Sequence, residues 1–199
     1  MTIRPDISDK LVHFTSPKEH WDEAYNRLKS ILSDSSIKAG NEKIKGGHWC
    51  VCFTEAPLPY ISGGLANKTG YSRYAPFGVM FDKKWVYRKG GRPVIYQADS
   101  EYDLLPAILR WRHVRYEPTS EPQIDFTWER EWRINCHELQ FTPNDMVILL
   151  PNIEWRERLL LDHESDQDYL IRGYSLVLDE DIAEQYREDL PWRISCLIP

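Results

Sequence analysis

The apolar residues of this chain come in short runs, and that spacing limits the fold more than any other feature. Leu11-Val12-His13-Phe14-Thr15, Trp49-Cys50-Val51-Cys52-Phe53-Thr54, Phe77-Gly78-Val79-Met80-Phe81, Pro93-Val94-Ile95-Tyr96 and Met146 to Leu150 are all brief and rich in β-branched or aromatic residues. Such runs read as strands. One segment has a different period. Trp21, Ala24, Tyr25, Leu28, Ile31 and Leu32 recur at helical spacing behind Ser16-Pro17-Lys18-Glu19, a capping box with proline at the first helical position. Strands and helices mix without strict βαβ alternation, so the expected class is α+β, in one domain over residues 1–199.

The rest of the chain gives weaker signals. Residues 60–76 read as a long loop or short helix of the kind that forms lids. Arg88 to Arg92 reads as a glycine-rich turn. Ser100 is positioned to cap a second helix, with Leu104, Leu105, Ile108, Leu109 and Arg112 on one face. Phe126 to Ile134 alternates like a strand. Ile153 to Leu161 and Asp179 to Glu188 read as helices, and Tyr174 to Leu178 and Trp192 to Ile198 as strands.

Composition excludes several classes. Hydrophobic residues at 42% with 28% charged are incompatible with a disordered chain. The longest purely apolar run, Met146 to Leu150, is far short of the ~20 residues of a spanning helix. The first residues have no apolar stretch like a signal peptide, so a cytoplasmic protein with four free thiols is expected. A net charge of −6 argues against coating duplex DNA by bulk charge, although a local basic cleft is compatible with it.

The residues most suited to chemistry lie in Asp125 to Ile134. In a strand, Trp128, Arg130, Trp132 and Ile134 share one side, and Glu129, Glu131 and Arg133 the other. Two carboxylates on one face repel, which raises the pKa of one, while the arginine holds the other ionised. Such a pair suits general base work or stabilising a developing cation. The competing reading is a solvated edge laced with salt bridges. His13 is either a satisfied structural histidine or a site residue. His48-x-Cys50-x-Cys52 lacks a fourth metal ligand and the usual spacing, and alternation more simply buries Cys50 and Cys52 in a core strand. Arg110, Arg112, His113 and Arg115, with Trp111 and Tyr116 between them, suit either a helix C-terminus or a single-stranded nucleic acid.

Taken in order, Leu11 to Thr15, the Ile31-Leu32 helix end, Cys52-Phe53-Thr54-Glu55-Ala56-Pro57-Leu58, Tyr74 to Phe81, Pro93 to Tyr96 and Asp125 to Ile134 resemble the AbiGi-type abortive-infection family. More loosely, the set is similar to DarT-like ADP-ribosyltransferases. The resemblance implies a split, mixed or antiparallel sheet with NAD lying across it. It implies that His13 bonds the adenosine ribose, with Thr15 close by on the same strand. Thr54 supports the nicotinamide side, Tyr71 or Tyr74 stacks on the nicotinamide, and Arg73 meets the pyrophosphate. Glu131 bonds the nicotinamide ribose, and Glu129 orients or deprotonates the acceptor. The implied function is NAD-dependent ADP-ribosyl transfer, without a metal, in phage defence or a toxin–antitoxin system. Its acceptor is a nucleic acid or a protein, and its partner a cognate toxin or antitoxin. The alternative is a non-catalytic antitoxin-like or sensor module on the same fold.

Overall fold

The computed structural model describes residues 7–15, 21–57 and 74–197. In chain order the elements are β1 (Lys10–Phe14), α1 (Trp21–Asp34), β2 (Ser36–Lys38), β3 (Cys50–Thr54), β4 (Gly78–Asp82) and α2 (Lys83–Arg88). Then come β5 (Arg92–Pro93), β6 (Ile95–Gln97), β7 (His113–Arg115), β8 (Glu131–Asn135), β9 (Glu138–Gln140) and β10 (Met146–Leu150). The chain closes with α3 (Ile153–Tyr174), α4 (Glu180–Glu184) and β11 (Arg193–Cys196). The class is α+β.

Seven strands form one mixed sheet in the order β11-β10-β4-β1-β3-β8-β5. Among the described residues, only β10 and β11 run parallel within it. The antiparallel pairing is uneven. β1 and β4 are zipped from Lys10↔Asp82 to Phe14↔Gly78, and β3 and β8 from Cys50↔Asn135 to Thr54↔Glu131. Between these two blocks, β1 and β3 pair at Val12↔Thr54 alone. The sheet is therefore nearly parted at its middle. Gly78 allows the first block to close: a Cβ there would lie 2.5 Å from the His13 carbonyl oxygen. Two small sheets flank the large one, β2 with β9 antiparallel and β6 with β7 parallel.

Strand alternation sorts the side chains. Leu11, Val51, Phe53, Phe81 and Ile148 face the main core, where Tyr25 and Leu28 of α1 and Leu159 of α3 cover them. Each fully buried large apolar side chain here contributes ~1.5–3 kcal/mol. Val12, Phe14, Met80 and Leu149 form a smaller cluster on the opposite face. α3 starts where Asn152 accepts a hydrogen bond from the Trp155 N–H at 3.2 Å.

Several expectations need correction. Phe126 to Ile134 is not one strand: a 3₁₀ turn spans Thr127–Glu129, Arg130 adopts φ +45, and the strand begins at Glu131. The expected second helix is two 3₁₀ turns, Asp99–Leu104 and Ala107–Arg112, divided at Pro106, with Leu104 and Ile108 exposed. Pro106 both fixes its own φ and disfavours helix in the residue before it. Pro93 to Tyr96 splits between β5 and β6, in different sheets. Tyr174 to Leu178 is a helix end and turn, because α3 runs on well past Leu161. β2, β9 and α2 lack strong periodicity and were not expected. The capping box at Ser16–Glu19 and most of the 60–76 segment lie outside the described residues.

Candidate functional site

A cleft of about 1640 Å³ opens where the two strand blocks separate. Its polar lining includes His13, Thr54, Tyr74, Glu129, Glu131 and Arg133. Glu131 and Arg133 leave β8 on the face shared with Cys52 and Thr54, as the register Cys52↔Arg133 and Thr54↔Glu131 requires. His13 follows Leu11 by alternation and so starts from the α1 face. One cleft reaches both because β1 and β3 join at a single position.

Glu131 and Arg133 form a buried ion pair. Arg133 Nε donates to Glu131 Oε1 at 2.7 Å and Nη2 to Oε2 at 3.2 Å. Arg133 Nη1 donates to the Trp111 and His113 carbonyls, both at 2.9 Å. Those carbonyls belong to the chain entering β7, so the β6–β7 sheet is what covers the pair. Burial works against the guanidinium charge, but the adjacent Glu131 carboxylate outweighs it and holds the pKa of Arg133 above its ordinary value. The Glu131 N–H donates to Tyr96 Oη at 2.9 Å. Burial pushes Tyr96 up to about 12.

Glu129 reaches the same cleft from the 3₁₀ turn. It is buried, and Tyr74 Oη donates to its Oε2 at 2.9 Å. Burial first, and then the Glu129 charge, raise the Tyr74 phenol well above its usual value, so it stays a donor. Thr54 Oγ1 donates to the Glu129 carbonyl at 2.6 Å and accepts from the Ala56 N–H at 3.1 Å. Thr54 thereby ties the end of β3 to the turn that aims Glu129. A solvated edge would leave these carboxylates exposed; instead Glu129 is 8% exposed and the Glu131 side chain 12%.

His13 Nδ1 donates to the Cys52 carbonyl at 2.8 Å, across the parted strands. That bond fixes the tautomer and leaves Nε2 as an acceptor. Burial lowers the His13 pKa, opposed in part by the Cys52 bond, which keeps the ring neutral. His13 is thus both a structural bridge and a cleft residue. Thr15 has a different place. Its Oγ1 and N–H both bond the Phe77 carbonyl, at 3.0 and 2.9 Å, and it does not line the cleft. Tyr71 and Arg73 lie outside the described residues. Tyr74 stacks on Phe14 with ring centroids 5.6 Å apart.

The other candidates resolve into local roles. Among the described residues, no group of three His, Cys, Asp or Glu side chains is placed to hold a metal ion. Cys50 and Cys52 lie on the cleft face rather than in the main core, and burial raises both thiols, Cys50 to about 11. They are poor nucleophiles at neutral pH. Arg110 and Arg112 bond the Leu105 and Pro93 carbonyls, and Arg115 pairs with Glu117. This basic set is engaged within the fold. Cys52 joins the cleft through strand register, a signal that its local sequence does not carry. Among the described residues, no helix is long and apolar enough to cross a membrane. No protein-family model, curated protein or solved structure matches the chain at a significant level.

Proposed function

We propose that the cleft binds NAD and that the protein transfers its ADP-ribosyl group to an acceptor, in phage defence or a toxin–antitoxin setting. The observation that carries this reading is the convergence of His13, Tyr74, Glu129 and Glu131 on one cleft between two strand blocks. The volume exceeds the ~300–1,000 Å³ of ordinary ligand pockets and leaves room for a dinucleotide beside an acceptor group. The residues suit that ligand. The free Nε2 of His13 accepts from a ribose hydroxyl, and the carboxylates take further hydroxyl protons.

NAD supplies an electrophilic anomeric carbon, with neutral nicotinamide as the leaving group. Glu131 acts on that carbon electrostatically. Its carboxylate, held in place by Arg133, stabilises positive charge as it develops. Glu129 takes the acceptor's proton, and Tyr74 sets its orientation by donating to Oε2. A second reading also has an observation behind it. Arg133 already engages both oxygens of Glu131, which suits a binding module that recognises a nucleotide without cleaving it.

The test is NAD binding, followed by thermal shift, together with nicotinamide release. Wild type is expected to bind NAD, His13→Ala to bind more weakly, and Glu131→Gln to bind NAD while releasing no nicotinamide. Binding with no release from wild type in the presence of cell extract supports the binding module. No binding at millimolar NAD overturns both.

A further inference from the structure

The C-terminal helical hairpin breaks the usual rule for such pairs, which bury their apolar residues between them. Polar bonds tie α3 to the segment that follows α4. Arg187 bonds Asp168 and Glu184, Gln167 Oε1 accepts from the Glu188 N–H at 2.9 Å, and His163 Nε2 donates to the Glu188 carbonyl at 2.9 Å. Leu159, Ile171 and Ala183 are buried, but many of the large apolar side chains are left outside. Tyr169 is 80% exposed, Leu176 85% and Val177 82%, and Ile182 and Tyr186 are half-exposed. Tyr174 and Tyr186 join the two helices, their ring centroids 5.3 Å apart. A cluster of this kind on one short hairpin marks an interaction surface.

Its charge selects the partner. Residues 153–189 hold twelve Asp and Glu against four Arg, although the whole chain is only −6. The acidic excess of the protein is therefore concentrated in the segment that carries these exposed apolar groups. An anionic lipid surface or a nucleic acid would be repelled, and an isologous pairing of two hairpins would set acid against acid.

We infer that the α3–α4 hairpin is a docking surface for a basic polypeptide, one whose binding segment shows an apolar face flanked by Lys or Arg. The inference goes beyond the NAD reading and holds whether or not the cleft is catalytic. Leu176 and Val177 supply the contact area, and Glu180 and Asp181 in the first turn of α4 supply charge.

The experiment titrates three labelled helical peptides against the full chain: an amphipathic leucine–lysine helix, its leucine–glutamate counterpart, and a scrambled leucine–lysine sequence. Fluorescence anisotropy is read at low and high salt. The leucine–lysine helix is expected to bind at least ten-fold more tightly than either control, and to weaken with salt. Leu176→Ser with Val177→Ser should weaken it ten-fold or more, and Glu180→Gln with Asp181→Asn several-fold, both at unchanged melting temperature. Equal binding of the two charge types, no binding, or binding indifferent to the serine pair overturns the proposal. So does light scattering that finds a dimer which the serine pair dissociates, since the occupant would then be a second copy.

Discussion

Removing Arg133 should cost far more than neutralising Glu131, although the two are partners. Consider Arg133→Met, Glu131→Gln, and Glu131→Leu combined with Arg133→Met. Arg133 has four donor contacts in place, two to the Glu131 carboxylate and two to main-chain carbonyls. Its loss leaves a carboxylate only 12% exposed without its cation, and two carbonyls without a donor. Breaking a buried pair from one side costs ~3–5 kcal/mol. At roughly 2–4 °C per kcal/mol for a chain of this size, the melting temperature should fall by about 6–20 °C. Glu131→Gln is different. The amide oxygen still accepts from Arg133, and the guanidinium keeps both carbonyls. Exchanging a charge-assisted bond for a neutral one costs ~1–2 kcal/mol.

The double variant decides whether burial is the cause. With both charges gone no ion is stranded, and apolar replacements of similar volume are neutral to stabilising by ~1–4 kcal/mol. Glu131→Leu with Arg133→Met should therefore melt well above Arg133→Met alone. Urea denaturation of the four proteins at one pH measures this. A loss below ~1 kcal/mol for Arg133→Met, as for an exposed pair, or additive losses in the double variant, would refute the claim that the pair is buried beneath the β6–β7 sheet.

Two further outcomes follow from the parted strands. Burial lowers the folded pKa of both His13 and His113 below 6.5, so the unfolded chain takes protons first as pH falls. Stability should be full above about 6.5 and decline below it by up to ~1.4 kcal/mol per pH unit for each histidine; melting between mildly acidic and neutral pH checks this, and a His13→Gln profile as steep as wild type would contradict it. Gly78→Ala should destabilise by ~1–3 kcal/mol rather than give the usual small gain. The new Cβ meets the His13 carbonyl oxygen at 2.5 Å and Phe14 Cα at 3.2 Å, main-chain atoms that cannot swing aside; a urea midpoint at or above wild type would show that β1 and β4 separate freely.

How far the sequence revealed the molecule depended on the kind of signal. Strands with a buried apolar run, such as β3 and β10, were legible because period and composition agree. The pairing of Glu131 with Arg133 was legible too, since alternation alone sets them on one face. Glu129 reached the same cleft by another route. The 3₁₀ turn and the left-handed Arg130 rotate it there, and no periodicity encodes that. The two 3₁₀ turns near Leu104 and Ile108 imitate a helix in spacing, and only Pro106 announced the break. β2 and β9 pair with each other across a hundred residues of chain, and a partner so distant leaves no local trace. The separation of β1 from β3, which opens the site, is likewise a matter of register.

Two features of this chain run against the economy of a fold built only for itself. A Glu–Arg pair is buried where valine and leucine would serve the sheet as well or better, since desolvating each ion costs several kcal/mol. Tyr169, Leu176 and Val177 stand in water where polar residues would cost nothing. The first inversion is confined to the cleft, under a sheet whose carbonyls are aimed at the guanidinium. The second is densest on a hairpin fastened by polar bonds and rich in acidic residues, with Leu104 and Ile108 exposed elsewhere. The two inversions are each supported by dedicated hydrogen bonds in the neighbouring structure: Trp111 and His113 for Arg133, and Arg187, Gln167 and His163 for the hairpin. Supported departures of this kind are where we place the two proposed ligands, a small molecule at the polar cleft and a macromolecule at the apolar, acidic hairpin.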